Sequence, residues 1–143
     1  MSTGFDLQSV TELREKRHLL ASGALFTERE RAHCRARPVP DASLAGLFAA
    51  KEAFVKALSS LGGGPAHTFP EVEVVHGPAG QPRFRLHGEL AAWCGERRID
   101  VELSISHTGD LAGAVVVLLA GTASDGPAGP AGDGLASDRR DTP

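Results

Sequence analysis

The spacing of apolar residues along the chain changes from a helical to a strand-like period about half way through. In the first half, apolar residues recur every three to four positions, which predicts helices over 7–20, from Thr27 to about Arg35, and from about 41 to 61. Glu30 follows Thr27 by three residues, so a capping box should start the second helix. Asp41 or Ser43 is the expected cap of the third helix, and 62–65 (Gly-Gly-Gly-Pro) should end it.

The second half predicts antiparallel strands. Apolar and polar residues alternate around 72–74, 84–86 and 99–105, and a continuous apolar strand is expected at 112–119. A short helix is expected between strands at 90–94. A run of helices followed by a run of strands is typical of an α+β fold, in which helices pack on an antiparallel sheet.

Composition restricts the number of domains and the classes of function that this chain can have. The chain has 143 residues, 41% of them hydrophobic, which predicts one domain over 1–120. The Gly/Pro/Ala-rich tail, 121–143, should be disordered because it has almost nothing to bury. The longest apolar run, 112–120, is too short to cross a membrane, and a net charge of −3 argues against a nucleic-acid partner. Cys34 and Cys94 lack metal or redox spacing, so we expect reduced, packed thiols in a cytoplasmic protein.

The third helix carries unusual charges. It is apolar nearly all round, so Glu52 and Lys56 are expected close to the core. They could form an ordinary i,i+4 ion pair. Alternatively, the carboxylate could hold a hard cation while the ammonium meets phosphate oxygens. Lys51 falls inside the apolar arc, where it would either extend to a surface or reach a ligand.

A second set of polar residues lies at the end of a strand. Ile105 should point inward, so Ser104 and Ser106 share the other face. His107 follows at the junction with a turn, where it is either a hydrogen-bonding turn residue or a functional side chain. A Ser–His hydrolase is disfavoured, since no Gly-x-Ser-x-Gly elbow is present. The other histidines lack zinc-ligand spacing and are not site candidates. Asp6, ahead of the first helix, could be an ordinary N-cap.

Taken in order, these motifs resemble the holo-acyl-carrier-protein synthase family, the small trimeric class of 4′-phosphopantetheinyl transferases. The matching segments are Gly4-x-Asp6, Phe26-Thr27-x-x-Glu30, Leu44 to Ala57, Gly80-x-Pro82 and Ser104 to Thr108. They are spread over residues 4–119, and the tail lies outside the resemblance. The resemblance implies an enzyme that moves phosphopantetheine from coenzyme A to a serine of a carrier protein and releases 3′,5′-adenosine bisphosphate.

The resemblance also implies roles for single residues. Asp6 and Glu52 would hold Mg²⁺ against the pyrophosphate of coenzyme A, and Lys56 would contact the phosphate and assist departure of the nucleotide. The residues expected at coenzyme A are Lys51, Lys56, Gly80, Pro82, Ser106 and His107. The acceptor of the serine proton stays open between a metal-oriented water and the two carboxylates. Active sites would lie between the subunits of a homotrimer.

The basic residues Arg14, Lys16 and Arg17 match the face with which the family docks an acidic carrier-protein helix; a solvated surface is the alternative. Two departures from the family pattern stand out. Leu47 replaces the usual arginine. Only Met1 to Thr3 precede Gly4, so the family's first strand is either shortened or begins upstream of this sequence.

Two other functions remain open from the sequence. One is a coenzyme A- or nucleotide-binding domain that does not turn over, and the other is a protein-interaction module that uses the basic helix. The pathway of the carrier protein, fatty-acid or polyketide and peptide synthesis, is also open.

Overall fold

A three-stranded antiparallel sheet with one long helix packed on it forms the centre of the computed structural model, which describes residues 1–121. The strands are β1 (Ser2–Ser9), β2 (Val72–His76), β3 (Pro82–Leu86), β4 (Ile99–Thr108) and β5 (Leu111–Ala120). The helices are α1 (Val10–Glu15), α2 (Arg17–Ala21), α3 (Glu28–Arg35), α4 (Pro40–Ser60) and α5 (Gly88–Glu96), with a 3₁₀ turn at Phe69–Glu71. The sheet order is β1-β5-β4, and β2 and β3 form a separate hairpin. The α+β prediction is confirmed.

Small residues bring α4 unusually close to β1. The face of α4 that packs on the sheet includes fully buried alanines, Ala49, Ala53 and Ala57. Opposite them lies Gly4, where an added Cβ would overlap the backbone carbonyl oxygen of Ala53. Alternate residues of β1 face α4 as the pleat requires, so this contact decides which side chains of β1 can reach the helix.

The predicted helix over 7–20 is wrong at both its start and its middle. Its first three residues belong to β1, and the rest forms two short helices that meet at Lys16. Ser9 ends the strand and caps α1 by accepting the backbone N–H of Glu12 at 3.2 Å. Asp110, in the β4–β5 turn, accepts the N–H of Thr11 at 2.9 Å and fixes this junction. Helical spacing alone could not show that residues 7–9 pair with β5 instead of forming a helix.

Pairing of β1 with β5 begins at Ser2. The start of α4 also differs from the prediction. It begins at Pro40 after Val39, which makes no side-chain capping bond, and Asp41 instead pairs with Arg14. Proline suits the first helical turn, since its fixed φ is already helical and its missing N–H would have no helical partner.

The remaining predicted elements are present. Thr27 and Glu30 form the capping box of α3, and the hairpin, α5, β4 and β5 contain the predicted segments. Both cysteines are buried and free of disulfides, and burial raises the pKa of Cys34 to about 12, as befits a packing role. Within residues 1–121, no helix combines the length and apolar character needed to cross a bilayer. The predicted disorder of the tail concerns residues beyond those the structure describes.

Candidate active site

Two carboxylates and a lysine meet where β1 crosses α4. Asp6 lies two residues after Gly4 and faces the helix, where Lys56 Nζ donates to its Oδ1 at 2.7 Å and to the carbonyl oxygen of Phe5 at 3.1 Å. Glu52 lies one helical turn before Lys56. The close approach at Gly4 therefore gathers the three residues that the sequence motifs suggested separately.

The charges in this cluster are coupled. Burial raises the pKa of Glu52, the negative charge of Asp6 raises it further, and Lys56 and Lys16 oppose that shift. The hydrogen bond to Asp6 raises the pKa of Lys56. A partly desolvated carboxylate beside a second one is a place where a small divalent cation is favoured, because the cation relieves their repulsion.

The donor set fits Mg²⁺. This ion is usually held by one or two carboxylates and keeps its other positions for waters and phosphate oxygens. Among the described residues, no group of three or more His, Cys, Asp or Glu side chains could hold a metal, so a structural zinc cage is not supported in that part of the chain.

The helix pattern predicted that Glu52 and Lys56 lie close to the core, and this prediction is wrong. Glu52 is half-buried, and the Lys56 side chain is 53% exposed. Lys56 is paired with Asp6 rather than with Glu52, because β1 brings the Asp6 carboxylate within hydrogen-bond distance of the ammonium group. The simple i,i+4 ion pair is therefore not what the structure contains.

Lys51 neither reaches the surface nor faces the cluster. Its side chain is fully buried, and Nζ donates to Glu30 Oε1 and to the carbonyl oxygen of Phe69, both at 2.8 Å. Glu30 also accepts the N–H groups of Thr27 and Val74 at 2.9 Å. This network joins α3, α4 and β2. The structure thus gives Lys51 a structural role and does not place it for contact with coenzyme A.

A pocket of about 380 Å³ opens between α3, α4, the β2–β3 turn and the end of β4. It brings together Gly80, Pro82 and His107, three residues expected at the nucleotide. Gly80 has φ of +82°, the left-handed region that favours glycine, and this allows the tight turn between the hairpin strands. The carboxylate–lysine cluster does not contribute to the lining of this pocket, since Asp6, Glu52 and Lys56 lie elsewhere. In one copy the cluster and the pocket are therefore separate.

Ser104 and Ser106 lie on the opposite, outer face of the sheet, as the strand alternation predicted. There they line a shallower pocket of about 310 Å³ with apolar side chains of β1 and β5. Within one chain Ser106 therefore does not share the pocket of Gly80 and Pro82, although His107 lines both pockets.

The three basic docking candidates differ in their surroundings. Arg14 Nε pairs with Asp41 at 2.6 Å, whereas Lys16 and Arg17 are exposed. The positive charge of Lys16 acts on Glu52, so the junction of α1 and α2 adjoins the carboxylate cluster.

Sequence reasoning missed three residues of basic type in the larger pocket, one arginine and two histidines. Arg37, His33 and His76 all line it, although the histidines had been set aside for lack of ligand spacing. They come from α3 and from the end of β2, far apart in the chain, so no spacing signal could have linked them.

These features define a helix-on-sheet α+β protein with a carboxylate–lysine cluster and a separate cationic pocket. The chain matches the family model of the 4′-phosphopantetheinyl transferase superfamily over residues 2–116 and belongs to that family. It is 35% identical over 118 residues to the holo-[acyl-carrier-protein] synthase of Caldanaerobacter subterraneus subsp. tengcongensis, which covers 81% of this chain and 90% of the relative. It is also 35% identical over 130 residues to the corresponding synthase of Nocardia farcinica, covering 82% and 86%.

The fold agrees with the sequence comparison. The ACPS–CoA complex of Chronobacterium ammoniagenes superposes with a TM-score of 0.73 at 34% identity and covers 85% of this chain and 98% of that one. The chain is a 4′-phosphopantetheinyl transferase of the holo-acyl-carrier-protein synthase type.

Proposed function

We propose that this enzyme uses Mg²⁺ to transfer 4′-phosphopantetheine from coenzyme A to a serine of an acyl carrier protein or a related carrier domain, and that it releases 3′,5′-adenosine bisphosphate. The observation that carries the proposal is the cluster of Asp6, Glu52 and Lys56 beside an exposed basic segment. The similarity to a coenzyme A-bound relative supports the choice of donor. The reaction would take place in the cytoplasm, where coenzyme A and carrier proteins are available.

In the transfer step, the serine oxygen forms a bond to the phosphorus that carries pantetheine, and the bond from that phosphorus to the bridging oxygen breaks. Negative charge grows on the phosphate and leaving-group oxygens. Lys56 would stabilise this charge, because its ammonium group is exposed and only partly neutralised by Asp6. The serine proton passes to Glu52, to Asp6 or to a water that they hold.

Asp6 and Glu52 would hold the magnesium ion, which when bound offsets charge on the phosphate oxygens and orients them. Glu52 would contribute because burial first and the charge of Asp6 second make its ionised form unfavourable, and a bound cation would offset both effects. With Asp6 shared between the metal and Lys56, the Lys56 ammonium group would be available to contact phosphate. Positioning of the two substrates supplies much of the remaining rate.

The larger pocket is the proposed site of the nucleotide part of coenzyme A. Its volume of about 380 Å³ lies within the range typical of small-molecule sites. Gly80 and Pro82 leave the backbone of the hairpin turn accessible to a flat base. His107 and Arg37 add polar and cationic groups for the phosphates, and no acidic side chain among the described residues lines the pocket.

The carrier protein is proposed to dock on the segment that joins α1 and α2. Lys16 and Arg17 are exposed there, and Lys16 lies close enough to the catalytic cluster for its charge to act on Glu52. An acidic carrier helix bound here would bring its serine toward the phosphate. Such contacts chiefly raise the association rate and weaken with added salt.

The outer face of the central sheet is the proposed subunit interface of a homotrimer. Apolar side chains that face solvent in one copy are Phe5 at 54%, Leu7 at 57%, Leu111 at 49% and Val115 at 42% exposed. A contiguous apolar patch of this kind marks an interaction surface. Assembly through this face would place the larger pocket of one copy next to Asp6 and Glu52 of another. This arrangement would account for the separation of the pocket from the two carboxylates within a single chain.

Intact-mass spectrometry of an apo carrier protein tests the proposed reaction. After incubation with the enzyme, coenzyme A and Mg²⁺, we expect a mass gain of one phosphopantetheine group, equimolar release of 3′,5′-adenosine bisphosphate, and loss of both in EDTA. The matched controls are Glu52→Gln and a carrier whose acceptor serine is alanine. Binding of coenzyme A without a mass gain on any of several carriers would favour the non-catalytic alternative, and the absence of both would contradict the proposal.

A further inference from the structure

Two histidines form a parallel stack in the wall of the larger pocket. His33 extends from α3 and His76 from the end of β2, and their ring centroids lie 3.8 Å apart with only 8° between the ring planes. Both rings line the pocket together with Arg37 and His107. Each imidazole ring is partly exposed, so both can exchange protons with solvent or with a ligand.

The charges around this stack are almost all positive. Arg37 is the only permanently charged side chain among the described residues that line the pocket, and Leu47 adds an apolar side chain to the same wall. Across the stack from this pocket lies a groove that the histidines share with Arg29 of α3 and with Arg83 and Arg85 of β3.

The nearest carboxylates on the same elements are already engaged. Glu30 of α3 is paired with Lys51 and accepts two backbone N–H groups. Glu73 of β2 accepts the hydroxyl of Thr27 at 2.7 Å and contacts His87 at 3.3 Å. A proton on the histidine stack therefore has no free acidic partner among these groups of the described chain.

Two imidazole rings stacked this closely repel each other when both carry a proton, because like charges at short distance disfavour the charged form. The pKa of His76 is lowered by burial, and the charges of His33 and Arg37 lower it further. The lowered pKa favours the neutral form of His76, which contributes little attraction to an anion. A phosphate group in the pocket would reverse this balance by stabilising a protonated imidazole.

We propose that the His33–His76 stack is a proton-coupled phosphate-recognition element, which takes up a proton when the nucleotide phosphates of coenzyme A enter the pocket beside Arg37. This inference rests on the proposed function, since it names residues that recognise the same donor substrate. It assigns to a titratable pair part of the positive charge that binding of the phosphates calls for, beyond the single arginine of the pocket.

Isothermal titration calorimetry with 3′,5′-adenosine bisphosphate in EDTA tests the proton uptake without the metal site. At pH 7.5 the ligand phosphates are mostly dianionic, because their second pKa is about 6, so a proton gained on binding must come to the protein. Buffers of different ionisation enthalpy report that number directly. We expect a clear net uptake of protons on binding, and a value near zero or a net release would overturn the inference.

Variants locate the proton. In His33→Gln and His76→Gln we expect uptake to fall and the ligand to bind about three- to tenfold more weakly at pH 6.5, the size of one charge-assisted hydrogen bond, with little change at pH 8.5. His18→Gln, an exposed residue of α2, is the matched control and should behave as wild type. A merely structural effect would weaken binding equally at both pH values.

Two further outcomes separate this inference from the proposed function. If uptake is unchanged in both stack variants but lost in His107→Gln, the proton belongs to His107 and the inference is wrong while the enzyme assignment stands. If neither the bisphosphate nor coenzyme A binds at any pH, the nucleotide pocket itself is wrongly assigned and both proposals fail. Uptake in the unmodified protein requires no substitution, so a poorly folded variant does not remove the test.

Discussion

Glu52 combines a catalytic assignment with an unfavourable position in the metal-free fold. Its pKa is raised above the ordinary value of 4.5 by burial and by Asp6, so its ionised form is less stable in the folded than in the unfolded chain. The protonated form of Glu52 is the one that suits the fold. Its contribution to the free energy of unfolding is present at low pH and is lost as pH rises through the pKa of Glu52 in the folded chain. At pH 7.5 the charge therefore lowers the free energy of unfolding.

Glu52→Gln should remove activity without removing stability. Turnover is expected to fall more than ~100-fold, because metal stabilisation of developing charge is worth several kcal/mol. In EDTA at pH 7.5 the melting temperature should stay the same or rise, since the unfavourable charge is gone. Paired assays of turnover and thermal unfolding check this. A lower melting temperature with retained turnover would show that Glu52 is structural.

Asp6 should control the titration of its neighbour. In Asp6→Asn the negative charge that raises the pKa of Glu52 is absent, and Lys56 loses its partner and is free to turn toward Glu52. Both changes lower the Glu52 pKa. A carboxyl-carbon NMR titration of the metal-free protein should show the Glu52 midpoint moving to lower pH in this variant. An unchanged midpoint would mean that the two carboxylates do not share a site.

Lys51 tests the distinction between a buried structural charge and a ligand-binding one. Lys51→Met leaves Glu30 buried without its cation, which should lower the free energy of unfolding by about 3 kcal/mol. Adding Glu30→Gln should restore part of that loss. The affinity for coenzyme A should be unchanged at a temperature where the variant is folded. Weaker coenzyme A binding by the stable double variant would restore the sequence-based assignment.

The packing of β1 on α4 is the contact between elements that builds the cluster. Gly4→Ala places a Cβ against the carbonyl oxygen of Ala53, so strand and helix must separate. We expect the free energy of unfolding to fall by about 3 kcal/mol and Mg²⁺-dependent turnover to fall with it. Gly95→Ala in α5 is the matched control, because nothing lies within 4 Å of the added methyl group. It should be neutral or stabilising by about 0.5 kcal/mol.

A control that is as damaging as Gly4→Ala would indicate general sensitivity of the fold to glycine replacement. Chemical denaturation gives both free energies. Comparing turnover at a temperature where each variant is folded then separates loss of site geometry from loss of folded protein.

Local patterns predicted the elements whose signals are self-contained. Thr27 and Glu30 form their capping box from four consecutive residues, and β4 shows its alternation within a single strand. The pattern failed where distant contacts decide the outcome. Residues 7–9 pair with β5, and Lys51 is satisfied by Glu30. Neither partner is visible from the neighbouring sequence, because the energy comes from tertiary contacts rather than from propensity.

The candidate active-site residues show the same division. The motifs supplied Asp6, Glu52 and Lys56, and the family resemblance supplied their roles, but the link between them depends on the β1–α4 contact. His33 and His76 carry no motif at all. Their proximity arises only when α3 packs beside the β2–β3 hairpin, so a structure was needed to find them.

At the scale of the whole molecule, Asp6, Glu52 and Lys56 are separate from the larger pocket within one copy, and the proposed trimer would join the two across subunits. If a complete site combines Glu52 of one subunit with His107 of another, two inactive variants should complement each other. We therefore predict that co-expressed Glu52→Gln and His107→Ala form mixed trimers with restored turnover, whereas each variant alone is inactive. Sedimentation analysis would establish that the mixed species is a trimer.

The extent of recovery follows from random assembly. In an equal mixture, each site has one chance in two of receiving an intact Glu52 and one in two of receiving an intact His107, so about a quarter of wild-type turnover is expected in a closed ring of heterologous interfaces. Mixing the two purified proteins without subunit exchange is the control and should restore nothing. If both residues act within one chain, every site in the mixed trimer lacks one of them, and the co-expressed protein would stay as inactive as its parents.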